Sequence, residues 1–134
     1  MIQTLDERFA NNLDNFSRTI SALSDSVKAP ILEKRDLSGI IKDFELAYEL
    51  SWKSLKTYLE LQGHQPTSAR SVFKEAYALS YIHNEDVWLR MIKDRNETVH
   101  TYNEAFARAM TERIIKDYAP TLIALLDFLK LKTA

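Results

Sequence analysis

From Leu37 to Leu59 apolar side chains return every three or four residues without a break: Leu37, Ile41, Phe44, Tyr48, Trp52, Leu55 and Leu59. That period is one face of an α-helix. Ile40, Ala47, Ser51 and Tyr58 widen the face, so a helix over about Asp36 to Gln62 needs two neighbours rather than one. Gly63 suits the left-handed residue that closes a helix, and Pro66 prevents its resumption. A rod this long, apolar on so broad a front, fits inside a bundle and almost nowhere else.

The rest of the chain supplies partners of the same kind. Leu5, Phe9, Leu13, Phe16, Ile20, Leu23 and Val27 mark a first helix over about Leu5 to Lys28. Thr4 and Glu7 form a capping box at its start, and Pro30 follows its end. A short third helix covers about Ser68 to Leu79, capped by Thr67 or Ser68, with Ala69, Val72, Phe73 and Ala76 facing inward. A fourth begins after Asn84, where Glu85 and Asp86 complement the helix dipole, and runs to about Asn96. A fifth starts near Thr101, where Thr101 and Glu104 read as a second capping box. Its stripe runs through Phe106, Met110, Ile114 and Tyr118 to Leu122, Leu125 and Leu129, with a kink or restart expected at Pro120. No segment alternates with period two. The expected fold is all-α, an antiparallel up-and-down bundle of about five helices in one domain over residues 1–134.

Composition narrows the function. The chain is 46% apolar and 28% charged, with only two glycines and three prolines, which suits long helices in a globular body. It has no cysteine, so disulfides and zinc–thiolate sites are excluded and a reducing cytoplasm is compatible. The amino-terminal segment has no apolar run behind a basic start, so no signal peptide is expected. Pro120 to Leu131 is too short and, with Asp127 and Lys130, too charged to span a bilayer. The formal net charge is −1, unlike a general nucleic-acid binder, whose affinity comes largely from neutralising phosphates. Between Trp88 and Lys116 six basic residues face four acidic ones, a mild local bias too small to hold long nucleic acid alone.

One stretch departs from the ordinary amphipathic pattern. Between Trp88 and Tyr102 the sequence places Arg95, Asn96, His100 and Tyr102 close together at the expected seam between the fourth and fifth helices. Cleaving RNA without a metal takes a base for the 2′-hydroxyl proton, a cation for the charge on phosphorus and a donor for the leaving oxygen. Histidine titrates near neutrality and can move the protons. Arginine stays charged and clamps phosphate oxygens with a planar fork. A helix starting just after His100 would add an anion-binding end, and Asn96 could orient Arg95. The same residues could equally be a surface cap. Spacing makes an Asp94, Glu97 and His100 metal cluster a poor alternative, because the three straddle a helix end. His64 and His83 fall in loops without a matching arginine. Glu45, Glu49 and Lys53 share one helix face, where Glu49 and Lys53 read as a solvated pair. Trp52 and Trp88 read as core anchors rather than base-stacking platforms.

Three segments together carry a resemblance: Asp43-Phe44-Glu45-Leu46-Ala47-Tyr48-Glu49-Leu50-Ser51-Trp52-Lys53, then Trp88-Leu89-Arg90-Met91, then Arg95-Asn96-Glu97-Thr98-Val99-His100-Thr101-Tyr102. Over about Leu37 to Leu129 the chain resembles the HEPN family, and more narrowly its HepT-like branch of nucleotidyltransferase substrate-binding proteins. The loop Gln65-Pro66-Thr67-Ser68-Ala69-Arg70 departs from the Ser-Pro-Arg-like pattern of that branch, while the Arg-x4–6-His motif is intact. The resemblance implies a bundle that forms a homodimer and a metal-independent ribonuclease with Arg95 and His100 from both subunits in one cleft. Asn96 matches the polar residue after the arginine. Tyr102 matches the acceptor of AMP groups that a cognate minimal nucleotidyltransferase, the antitoxin of the pair, attaches to silence the toxin. No cofactor, metal or membrane is implied, and the location is cytoplasmic. Two other readings stay open. The domain could be a non-catalytic subunit that binds a nucleotide or substrate for the partner nucleotidyltransferase, with Arg95 on phosphate. It could also be a dimerisation module in which the motif only caps a helix junction.

Overall fold

A computed structural model describes residues 2–100 and 103–133, with His100 placed by its backbone alone. The described residues are helical apart from short connections: α1 (Leu5–Lys28), α2 (Lys34–Leu61), α3 (Ala69–Ala78), α4 (Glu85–His100), α5 (Glu104–Arg113) and α6 (Ala119–Lys130). A π-helical turn, Ile114–Tyr118, joins α5 to α6, so the two form one interrupted rod.

Cross-contacts give the directions. Asn12 bonds Thr57 and Phe9 meets the ring of Tyr58, while Ser26 donates to Asp43, so α1 and α2 run antiparallel. Phe44 stacks on Tyr118 at 5.3 Å and Tyr58 meets Phe128 edge-on, so the α5–α6 rod runs parallel to α2. Asp94 pairs with Arg113, and Asn84 with Thr121, so α4 opposes that rod. The four long rods are therefore up, down, up, down, with α3 in the crossover from α2 to α4.

The core is one contiguous cluster in which every rod takes part, from Phe16 and Leu23 through Phe44 and Leu55 to Met110 and Leu129. The wide stripe of α2 behaves as expected, because α2 touches α1, α3, α5 and α6. Ala47, Ser51 and Ser54 on α2 are fully buried, and their small side chains let neighbouring rods approach closely. Trp88 is fully buried with its ring 4.6 Å from that of Phe73. It fixes the start of α4 as an anchor, an aromatic burial of the kind that dominates core energetics. Trp52 is only partly buried, its indole nitrogen 3.3 Å from Glu49.

The caps show where local sequence decided the ends. The Thr4 hydroxyl accepts from the Glu7 backbone, although the Glu7 carboxylate meets that hydroxyl rather than the Thr4 backbone donor. Ser68 caps α3, with Ser71 completing a box. Gly63 sits at φ 93° after α2, the left-handed conformation that glycine adopts without steric cost.

Two boundaries differ from expectation, and both flank the polar stretch. First, α4 continues past Asn96 to His100. Arg95, Asn96 and His100 therefore stand on the last turns of one helix rather than in a junction. Second, Asn103 caps α5, its side chain accepting from the Phe106 backbone at 2.9 Å. The expected box of Thr101 with Glu104 is displaced because asparagine is at least as good an N-cap as threonine. The α5 N-terminus thus begins beyond His100, and its first turn holds Glu104, which pairs with Lys34 at 3.0 Å and with Arg108. The positive helix end already faces a carboxylate of its own chain, so the anion-binding role expected for it just after His100 does not hold.

Candidate functional site

The site is built on α4 and on the facing turn of α2. Arg95 Nε lies 3.4 Å from Glu45 Oε2, and the two side chains are 33% and 26% exposed. The guanidinium is thus held from one edge but reachable by solvent. The sequence puts Glu45 on one helix face with Glu49 and Lys53. Glu49 and Lys53 do form the exposed i,i+4 pair, at 3.4 Å, whereas Glu45 turns to α4.

Tyr48, one turn along α2 from Glu45, is almost fully buried, and its hydroxyl pKa is pushed up to about 12. Burial is the main cause and the charge of Glu49 adds to it, while Arg95 and Arg70 act in the opposite direction. Arg70 at the start of α3, Arg95 on α4 and Glu49 on α2 therefore all act on one buried hydroxyl. Electrostatically this corner is mixed in sign, with two guanidinium groups near enough to be felt in the core.

Further along α4, Asn96 and Glu97 are exposed, and the Thr98 hydroxyl donates back to the Arg95 carbonyl at 2.7 Å. Asn96 and His100 are one turn apart, so their Cα positions lie on nearly the same side of the axis. Those of Arg95 and His100 are about 140° apart at 3.6 residues per turn. Tyr102 and Thr101 lie outside the described residues.

The neighbouring face of α4 carries a group that sequence reasoning missed. Asp94 is 8% exposed and accepts a two-pronged bond from Arg113, at 2.7 Å from Nε and 3.0 Å from Nη2. Tyr118 is fully buried and donates its hydroxyl to the same carboxylate at 2.5 Å. Burial first, then the bond to Asp94, raises the Tyr118 pKa well above the ordinary tyrosine value. The bond to Asp94 likewise holds Arg113 above its usual range. Asp94 is consequently engaged by two donors of its own chain, which disfavours the weighed Asp94, Glu97 and His100 metal cluster. Among the described residues no group of three histidine, aspartate or glutamate side chains is placed to hold a metal ion. No local signal marked the network, since its members are 19 and 24 residues apart.

Of the two other histidines, His64 Nδ1 meets Glu75 at 2.6 Å and ties the loop after α2 to α3. His83 is exposed beside a small pocket of about 180 Å3 lined also by Tyr81, Trp88 and Phe128.

Residues 11–131 match the family model described as "nucleotidyltransferase substrate binding protein like". The chain belongs to that family. A crystal structure of a Thermus thermophilus protein superposes with a TM-score of 0.79 at 30% identity, covering 86% of this chain and 98% of that one. A chain of a mutant MntA–HpeT toxin–antitoxin crystal structure superposes with a TM-score of 0.75 at 16% identity, covering 92% and 97%. The second likeness concerns the fold. No curated protein sequence matches the chain. Among the described residues no helix is long and apolar enough to cross a membrane.

Proposed function

We propose that the protein is a HEPN-type, metal-independent ribonuclease, the toxin of a two-gene pair whose partner nucleotidyltransferase silences it by adding AMP to Tyr102. The observation that carries this reading is the placement of Arg95, Asn96 and His100 on the closing turns of one helix, with Arg95 pre-oriented by Glu45 and still a third exposed. Membership of a nucleotidyltransferase-associated family supports the partner, as does the toxin–antitoxin complex that shares the fold.

In the reaction, His100 of one copy takes the 2′-hydroxyl proton and the 2′-oxygen attacks phosphorus. The 5′-oxygen leaves with a proton delivered by an acid, for which the second copy's His100 is the natural donor. Arg95 stabilises the added charge on the phosphoryl oxygens, and Asn96 orients it or the substrate. A homodimer supports this division of labour, because the Cα positions of Arg95 and His100 in one copy lie about 140° apart around α4. Val99, between them and 67% exposed, gives the second copy an apolar contact. For silencing, the Tyr102 hydroxyl attacks the α-phosphorus of ATP and pyrophosphate leaves. The phosphodiester adds negative charge and bulk where substrate phosphate would bind. RNA and ATP as reactants put the protein in the cytoplasm.

Arg95→Ala and His100→Ala are each expected to abolish RNA cleavage and growth inhibition while remaining folded. Undiminished cleavage by both would remove the proposal. Intact-mass measurement with the partner and ATP should show AMP adducts that Tyr102→Phe lacks. The family description itself favours a second reading, a non-catalytic subunit that binds nucleotide for its partner. Saturable ATP binding with no cleavage at high protein concentration would select it.

A further inference from the structure

The π-helical turn is the least ordinary backbone feature of the chain. Its ladder closes with the Ala119 backbone donating to Ile114, five residues back. It stands just before Pro120, which can neither donate to the ladder nor tolerate a normal turn against the carbonyl of Lys116. Proline explains why a distortion is tolerated here. The side chains show what the distortion does. Arg113 and Tyr118 are five residues apart, and on an α-helix they would point about 140° away from each other. Bonding to the fifth residue widens the turn to about 82° per residue and brings them to within about 50° of each other. Both then reach one carboxylate, that of Asp94, at 2.7 Å and 2.5 Å.

Asp94 immediately precedes Arg95 on α4. The closing half of that helix is therefore gripped from two sides. Asp94 is bound to α5 and the π-turn on one side, while Arg95 leans on Glu45 of α2 on the other. Tyr118 is itself fixed, stacked on Phe44 of the same α2 helix. The chain Phe44–Tyr118–Asp94 thus ties α4 to the helix that carries Glu45, a fixed frame for the Arg95–Glu45 pair.

From this geometry we infer that Asp94, Arg113 and Tyr118 are positioning residues for Arg95, and that the π-turn delivers Tyr118 to that task. The catalytic part of the inference rests on the ribonuclease reading; the positioning of Arg95 does not. Tyr118→Phe removes one hydroxyl and keeps the ring stack, and Asp94→Asn keeps the size of the group. The Nε–H resonance of Arg95, assigned by its loss in Arg95→Lys, reports the guanidinium directly in the folded chain. Both variants are expected to shift it. They should also lower kcat for RNA cleavage by roughly tenfold to a hundredfold, the cost of a misplaced catalytic group, with KM within about twofold. An unmoved Arg95 resonance in folded variants overturns the inference even where melting temperature falls, because the network is then only structural. An unmoved kcat in an active wild type overturns it too. A wild type that cleaves no RNA instead defeats the ribonuclease reading, and the resonance alone then decides whether the network positions Arg95.

Discussion

Adjacent residues on α4 face two very different surroundings. Asp94 looks into a saturated site, with a two-pronged arginine, a buried tyrosine hydroxyl and almost no solvent. Arg95, one residue on, meets a single carboxylate at 3.4 Å and keeps a third of its side chain in water. The first arrangement resists any competing ligand, because displacing Asp94 would strand a half-buried guanidinium. The second leaves a charged group held but available. In the proposed ribonuclease, the closed side would fix the helix and the open side would meet the substrate phosphate.

The contrast can be broken most directly at the closed side. Asp94→Ala leaves Arg113 and Tyr118 without their shared acceptor; stranding the fully buried Tyr118 hydroxyl costs about 1–3 kcal/mol, while Arg113, about a third exposed, partly rehydrates. Urea unfolding should show a loss of that size; a loss below about 1 kcal/mol would mean that the two faces are energetically alike. Next comes the response to alkali. Tyr48 and Tyr118 both have raised folded-state pKa values, so the stability they contribute is complete below the ordinary tyrosine value near 10. It is lost as pH rises toward their folded values, because only the unfolded chain ionises there. The slope approaches about 1.4 kcal/mol per pH unit for each tyrosine. Unfolding followed across that range should show Tyr118→Phe with the shallower decline, and equal slopes for variant and wild type would refute it. The smallest effect belongs to the open side. Glu45→Gln should change stability by less than about 1 kcal/mol, as for partly exposed pairs generally. A loss as large as that of Asp94→Ala would show that Arg95 is a structural group after all.

Most of the scaffold was legible because each element announced itself locally. Thr4, Pro30, Ser68 and Gly63 marked ends that the structure keeps, and the stripe Met110, Ile114, Tyr118 is buried throughout. The errors fell where polar residues mimic punctuation. Arg95 to Glu97 looked like a helix end because nothing apolar follows them at the core-facing positions, yet the helix continues with its outer side in water. Thr101 and Glu104 had the spacing of a box, and Asn103 between them won. The π-turn was invisible because residues four apart satisfy a buried stripe whether or not an extra residue is inserted nearby. The Asp94 network and the turn of Glu45 toward Arg95 are tertiary pairings between distant segments, and no single window contains them. Spacing singled out Arg95, Asn96 and His100 as candidates, while the residues that hold Arg95 emerge only in three dimensions.

The π-turn also turns a residue count into a constraint. Between Arg113 and Pro120 the identity of Ile115 or Lys116 matters little to the Asp94 network, since both side chains are exposed. Their number is what matters. Removing one would let the turn close as an ordinary α-helical turn, because five π-helical residues and four α-helical ones rotate the chain by nearly the same angle; removing two would rotate Leu122, Leu125 and Leu129 off the core by about 100°. In the family this segment should therefore vary in composition and differ in length by no more than that one residue, a narrower tolerance than that of an ordinary surface loop.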